Sequence, residues 1–269
     1  MKSFQNATAV VTGAGSGIGR AIALRLSAEG ATVHCVDRHL ANALAVADEC
    51  VNGKAHQVDV TDVVAVEALA NRIFAAGPVD ILINNAGIAH SGTILDSEVN
   101  DFRRLLEVNV MGIVHGLHAF LPRMLAQKTP AHIVNTASGA GLFASPGIGP
   151  YCASKHAVVG LSQVLAAELH ETPIAVTILC PGIVNTPIIQ TAAFRGQDPG
   201  RRARTIDFYE RRAATPESVA DDLVRDMKRG KLFCLSRKLE VGLGWWLHRL
   251  SPTLALGVSR RLLAKLQQQ

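Results

Sequence analysis

The chain has 269 residues, 48% of them hydrophobic but only 4% aromatic, and its 23 glycines are spread along its length. That is ample for one large domain with a sizeable core, and it suits an aliphatic α/β protein whose strands are covered on both faces. The net charge of +5 is uneven, since nine of the 27 lysines and arginines lie beyond residue 227 against the single acid Glu240; no recognised reading module accompanies this charge, so nucleic-acid binding is not expected.

The first residues lead directly into an apolar run at 7–12, expected to be a strand, with no secretory signal before it. Gly13-Ala14-Gly15-Ser16-Gly17-Ile18-Gly19 follows, and then an apolar-periodic stretch at 22–26. This is strand, glycine turn, helix. Such a turn lets backbone approach a ligand, and the free N–H groups and dipole at the helix N-terminus favour a pyrophosphate. The spacing is Thr12-Gly13-x-x-x-Gly17-x-Gly19 and not Gly-x-Gly-x-x-Gly. Residues 32–36 read as the second strand and end in Asp37, where dinucleotide-binding folds place the acid that reads a ribose. A carboxylate about 5 Å from a 2′-phosphate costs roughly 3 kcal/mol at an effective dielectric of about 20, which favours NAD over NADP. Arg38 keeps NADP open, because a guanidinium beside the site can accept that phosphate.

Residues 40–50 are expected to be helical, 55–58 a third strand ending at Asp59-Val60, and 63–75 a helix broken by Gly77-Pro78. A strand at 79–83 then runs into Asn84-Asn85-Ala86-Gly87. The alternation implies parallel crossovers, whose ligands bind at the C-terminal ends of the strands. One long helix is expected over 101–125 with Asn109 among apolar neighbours. A buried amide needs partners, and the residues alone leave a satisfied core amide and a functional one open. His115 and His118 lack a third ligand, and the five cysteines form no Cys-x-x-Cys pair, so no metal site is expected. The cysteine pattern also points to a reducing cytoplasm.

Residues 132–136 are the fifth expected strand, which puts Ser138 on the same sheet edge as Gly13, Asp37 and Asn85. A loop at 141–150 leads to Tyr151-Cys152-Ala153-Ser154-Lys155, the start of a helix reaching residue 169. Tyr151 and Lys155 then share a face. A phenol with a pKa of about 10 needs roughly 4 kcal/mol of phenolate stabilisation to work near neutrality, and a cation one turn away supplies part of it. The same spacing also arises by chance on surface helices. A sixth strand at 175–179 closes with Cys180-Pro181-Gly182, and a helix capped by Thr215 with Pro216 in its first turn precedes a seventh strand at 232–235. No uninterrupted apolar run reaches the length of about 18 residues that suggests a membrane span. The tail beyond 239 joins Trp245 and Trp246 to basic residues, the composition of an interfacial helix, so an anionic membrane or another subunit is its expected partner.

Taken together, these residues resemble the short-chain dehydrogenase/reductase family: Thr12-Gly13-x-x-x-Gly17-x-Gly19, Asp59, Asn84-Asn85-Ala86-Gly87, Asn109, Ser138, Tyr151-x-x-x-Lys155, and Pro181-Gly182 with Thr186, in order over about residues 5–190. The resemblance implies an α/β fold, a Rossmann-type doubly wound parallel sheet of strand order 3-2-1-4-5-6-7 flanked by helices. It implies a catalytic domain over 1–238 with a lid at about 187–212, a basic tail over 239–269, and a homodimer or homotetramer. By the same resemblance, Tyr151 is the acid/base, Lys155 lowers its pKa and holds the nicotinamide ribose, Ser138 bonds the substrate oxygen, and Asn109 holds a water that links Lys155 to solvent. The cofactor set it implies is Gly13, Ser16, Gly17, Ile18 and Gly19 at the turn, with Asp37 and Arg38 beyond it. Asp59 and Val60 would lie at the adenine, Asn85, Ala86 and Gly87 at the adenosine ribose, and Pro181, Gly182, Ile183 and Thr186 on the nicotinamide side.

The implied activity is hydride exchange between a nicotinamide cofactor, NAD favoured, and a secondary alcohol or ketone. Leu142, Phe143, Ile148, Ile188, Ile189 and Phe194 on the expected pocket loops point to an apolar substrate of steroid, retinoid or lipid type. Arg195, Arg201, Arg202, Arg204, Arg211 and Arg212 read as a solvated lid; the alternative is an anionic acyl thioester reduced with NADP. A dinucleotide-binding sensor without turnover is the rival from another class, and it has no need of Tyr151 and Lys155 together. The expected location is the cytoplasm, with membrane association through the tail.

Overall fold

Side chains along a strand alternate between its faces, so a strand apolar at every position must be covered twice. In Thr8–Thr12 (β1), Val10 enters one apolar layer and Ala9 and Val11 the other. Farther along the sheet, Leu82 and Ile133 join the first layer, and Ile81, Ile83 and Val134 the second. The computed structural model describes residues 3–196, 199–200, 202–203, 206–207, 213–236 and 238–268. Its main sheet consists of β1, Thr32–Asp37 (β2), Gly53–Gln57 (β3), Ile81–Asn84 (β4), Ala131–Thr136 (β5), Ile174–Cys180 (β6) and Phe233–Leu235 (β7). All seven strands are parallel, in the expected order 3-2-1-4-5-6-7.

The helices are Gly17–Ala28 (α1), Leu40–Glu49 (α2), Val63–Ala76 (α3), Val99–Leu106 (α4), Gly112–Gln127 (α5), Gly149–Glu168 (α6), Pro216–Lys228 (α7), Lys238–Leu250 (α8) and Pro252–Gln268 (α9). Ile22 and Leu26 of α1, Val46 of α2 and Leu223 of α7 cover one face of the sheet; Leu69 of α3, Phe120 of α5 and Val158 of α6 cover the other. The reversal of strand order between β1 and β4 opens a crevice at their C-terminal ends, and α1 starts at its rim.

The structure departs from the sequence expectation in three places that bear on the site. The single helix expected over 101–125 is α4, a π-helical turn at Glu107–Met111, and α5. The wider turn inserts residues without ending the helix, and it carries Asn109 inward. The whole run Val99–Gln127 is long and apolar enough to cross a membrane, yet Leu105, Leu117, Phe120 and Met124 are buried in the protein. The third strand begins at Gly53 and not at residue 55, because its register pairs Val33 with Gly53 and Asp37 with Gln57. Helix α6 begins at Gly149, with Pro150 in its first turn, so Tyr151 stands within the helix and not at its first residue.

Candidate active site

At the crevice the glycine turn is locked to the ends of two strands. Thr12 is the hub: its hydroxyl donates to the Ile83 carbonyl at 3.3 Å and accepts from the N–H groups of Asn85 and Ala86 at 2.9 and 3.1 Å. Asn85 returns Nδ2 to the Thr12 carbonyl at 3.1 Å, and its Oδ1 accepts from Thr136 at 3.3 Å. Gly13 has φ +64°, and a Cβ there would lie 2.8 Å from Ala86 Cα, so both conformation and contact demand glycine. Gly17 lies against Thr186, where a Cβ would meet Cγ2 at 2.9 Å. The exposed Ser16 makes no side-chain cap bond, and the first turn of α1 holds no acid.

Asp37 is pinned beside this turn. Its Oδ2 accepts from Gly15 N–H at 3.1 Å and its Oδ1 from His39 N–H at 3.0 Å. Arg38 is exposed and its Nε donates to His39 Nε2 at 3.1 Å. Asp59 is exposed, with Oδ1 accepting from the Thr61 hydroxyl and N–H at 2.8 and 2.9 Å. The buried Val60 accepts from His115 Nδ1–H at 2.8 Å. This donor set fits a dinucleotide: an uncapped helix N-terminus for a pyrophosphate, a fixed carboxylate for ribose hydroxyls, and glycines that leave backbone within reach.

On the other side, Lys155 is buried and its Nζ lies 5.8 Å from the centroid of the Tyr151 ring. The ammonium donates to the Thr136 carbonyl at 2.9 Å, and burial pushes its pKa down to about 8. Burial also pushes the neighbouring Cys180 thiol up to about 12. The Ser138 loop presses on α6, since a Cβ on Gly141 would come 2.6 Å from the Lys155 carbonyl oxygen. Ser138 itself is half-buried, at the end of β5, and its Oγ accepts from Ala140 N–H at 3.2 Å. A Cβ on Gly87 would lie 3.0 Å from Asn109 Oδ1 and 3.6 Å from Lys155 Nζ. The structure therefore brings Gly87, Asn109 and the Ser138 loop together around Lys155, whose ammonium faces the Tyr151 ring. Pro181 accepts from Gly139 N–H at 2.8 Å, and Ile183 from Ala214 N–H at 2.9 Å, which fixes the segment running on through Gly182. Asp59 and Arg38 lie apart from this cluster, at the outer strands.

Asn109 is fully buried and both of its amide donors are engaged: Nδ2 donates to the Ile88 carbonyl and to Ser154 Oγ, both at 3.0 Å, while Oδ1 accepts from Ile88 N–H at 2.8 Å. Ser154 passes its own hydroxyl to the Tyr151 carbonyl at 2.8 Å. Ser154 is thus a functional support that sequence reasoning missed, and Thr12, read there only as part of the glycine motif, gains a role as the hub of the turn. A serine between Tyr151 and Lys155, able to bond the carbonyl three residues back, was the one signal for Ser154. A buried ladder beneath them, Asn84 to Asn135 at 2.9 Å and Asn135 to Ser162 at 2.9 Å, left no trace in the sequence.

Three loops are clasped over the site. His90–Ser91 pairs with Ala193–Phe194, and Gly92 N–H donates to the Gly147 carbonyl at 2.7 Å. Arg195 holds Asp101 with Nε and Nη2, each at 3.0 Å, and reaches Glu98 at 2.9 Å. The Arg195 guanidinium, together with the Glu98 backbone N–H that donates to Oδ2 at 2.9 Å, holds the Asp101 carboxyl below the usual carboxylate range. Arg195 is therefore paired and not part of a solvated lid, and Arg202 stacks 5.0 Å over the Phe194 ring. Arg201, Arg204, Arg211 and Arg212 lie outside the described residues.

Comparison with known proteins agrees with this architecture. The family model for short chain dehydrogenases matches residues 7–195. A probable oxidoreductase, EphD, of Mycobacterium tuberculosis is 38% identical over 239 residues, covering 85% of this chain, while the match spans only 40% of that protein's length. The 1-deoxy-11-beta-hydroxypentalenate dehydrogenase of Streptomyces avermitilis is 40% identical over 192 residues, covering 69% of this chain and 71% of that protein. A crystal structure of a short chain dehydrogenase/reductase from Burkholderia phymatum in complex with NAD superposes with a TM-score of 0.83 at 32% identity, covering 93% of this chain and 96% of that one.

Proposed function

The chain belongs to the short-chain dehydrogenase/reductase family, and on that premise we propose that it interconverts an apolar secondary alcohol and its ketone with NAD, as a dimer or tetramer in the cytoplasm. The observation that carries the reading is the buried Lys155 ammonium beneath Tyr151, held by a neutral carbonyl next to Gly87. A cation so placed favours the phenolate and so lets the phenol exchange its proton near neutral pH. In reduction, Tyr151 Oη gives its proton to the carbonyl oxygen; in oxidation it takes the hydroxyl proton. Ser138 Oγ bonds the same oxygen and stabilises the charge developing on it. Asn109 keeps the Ile88 backbone and, through Ser154, the Tyr151 turn in register, and in its further role holds the water that links Lys155 to solvent. When bound, the nicotinamide supplies or accepts the hydride.

Gly13 to Gly19, with Ser16 and Ile18, would hold the pyrophosphate, Asp37 the adenosine ribose, Asp59 and Val60 the adenine, and Ile183 and Thr186 the carboxamide. NAD is favoured because the fixed Asp37 carboxylate repels a 2′-phosphate, and because Arg38 is engaged with His39. A cytoplasmic location suits the five free cysteines. The apolar substrate is supported by Ile148 on the clasped loops and by the likeness to a dehydrogenase named for a hydroxypentalenate, whereas Leu142 and Phe143 pack into the core and against α8. An anionic acyl thioester is disfavoured, since Arg195 is already neutralised by two acids. The test is NADH oxidation over a panel of ketones graded by size. Tyr151→Phe is expected to bind NADH as the wild type does and to lose about a hundredfold or more in kcat; a variant that turns over at the wild-type rate overturns the assignment, as would a wild type that binds NADH and reduces nothing on the panel.

A further inference from the structure

The last two helices present an unusual surface. Between residues 241 and 269 the sequence has no aspartate or glutamate, while Arg249, Arg260, Arg261 and Lys265 all fall there. Helix α8 is attached by one side. Val241 is buried and faces Gly139, where a Cβ would meet its Cγ2 at 3.4 Å; Gly244 lies against the Phe143 ring. Trp245 packs on Phe233 with ring centroids 4.9 Å apart. The other side has no cover among the described residues. Leu243, Trp246 and Leu250, at helical spacing, are 68%, 60% and 81% exposed, and Leu254 and Val258 of α9 are 61% and 42% exposed. Arg249, Arg260 and Arg261 are exposed on the same two helices. Monomeric proteins rarely leave so much apolar surface bare in one place.

Charge selects the occupant. A second copy related by a twofold axis would set these arginines against their own counterparts. An anionic lipid surface satisfies both components: tryptophan and leucine enter the boundary between headgroups and acyl chains, and the arginines meet the headgroup charge. We propose that α8 and α9 dock the protein on an anionic membrane surface. Because α8 braces Gly139 and Phe143 beside Ser138, docking sets the substrate-side loop at the lipid boundary, where an apolar substrate would be concentrated. The docking itself does not depend on the catalytic reading.

The full-length protein is floated with vesicles of phosphatidylcholine alone and of phosphatidylcholine mixed with phosphatidylglycerol. The expected result is flotation with the anionic vesicles only, accompanied by a blue shift of tryptophan emission. Release is expected as salt rises from about 0.1 M to about 1 M and the screening length falls from about 10 Å to about 3 Å. Arg260→Gln and Arg261→Gln should each weaken binding about fivefold. Trp246→Ser should weaken it several-fold and reduce the blue shift, with far-ultraviolet circular dichroism and melting as in the wild type. Wild-type protein that stays unbound with both vesicle types overturns the proposal, as does flotation unaffected by all three substitutions. Sedimentation of the lipid-free proteins covers the remaining occupant: an oligomer that Trp246→Ser dissociates assigns the face to a second copy and overturns the membrane assignment.

Discussion

At the scale of single residues, Lys155 is where function opposes stability. Its ammonium is buried and bonded to the neutral Thr136 carbonyl, and no carboxylate is among the groups that shift its pKa. In the unfolded chain a lysine titrates at about 10.4, whereas here burial brings it down to about 8. The unfolded state therefore binds the proton more tightly. The resulting penalty, roughly 3 kcal/mol, is fully present below about pH 8 and relieved as pH rises towards the unfolded value. Lys155→Met removes the penalty and loses one hydrogen bond worth about 1 kcal/mol. The cofactor-free variant should thus be more stable than the wild type near neutral pH, by up to about 2 kcal/mol, while losing turnover. Urea unfolding at neutral and alkaline pH checks the sign: the variant's advantage must shrink as pH rises through about 8 to 10, and a pH-independent difference would mean that the lysine is not buried as a charge.

At the scale of elements, what the sequence showed and what it hid divide by distance along the chain. The glycine turn, the acid ending β2, the Asn-Asn-Ala-Gly strand end and the Tyr-x-x-x-Lys pair each lie within one turn or one strand end, so local spacing revealed them. The π-helical turn was invisible because its cause is remote: Asn109 bonds to Ile88, which is 21 residues away, and to Ser154, which is 45 away. The Arg195 clamp was misread for the same reason. The sequence displays an arginine among arginines, and only the pairing of Ala193–Phe194 with His90–Ser91 brings it to Asp101 and Glu98. Cutting that clamp should loosen the loops over the substrate without disturbing the dinucleotide side, which is held independently by Thr12 and Asn85. Arg195→Met is therefore expected to raise KM for the ketone several-fold while the NADH Kd stays as in the wild type, and Arg195→Lys should recover part of the loss. A KM unchanged by Arg195→Met would show that the mini-sheet alone positions these loops.

At the scale of the whole molecule, composition and packing draw different boundaries. The composition changes beyond the seventh strand, where both tryptophans join basic residues, which is why a tail is expected from residue 239; the apolar layer beneath α6 nevertheless continues through Phe233 and Leu235 to Val241 and Trp245. Helix α8 therefore closes the edge of the core beside β7, whereas Ala255 is the buried side chain on α9 among the described residues. Two truncations separate these accounts. Ending the chain after residue 251 removes α9 and little buried apolar area, so it should cost less than about 1 kcal/mol. Ending it after residue 236 also uncovers the groups packed against Val241 and Trp245, and burying a valine side chain alone is worth about 2 kcal/mol, so the loss should reach roughly 2–4 kcal/mol. The longer truncation should also lower kcat, because Val241 and Gly244 support the loop that carries Ser138 through Gly139 and Phe143. Equal unfolding midpoints for the two truncated proteins would return the boundary to residue 239, and would mean that α8 rests on the core without bracing it.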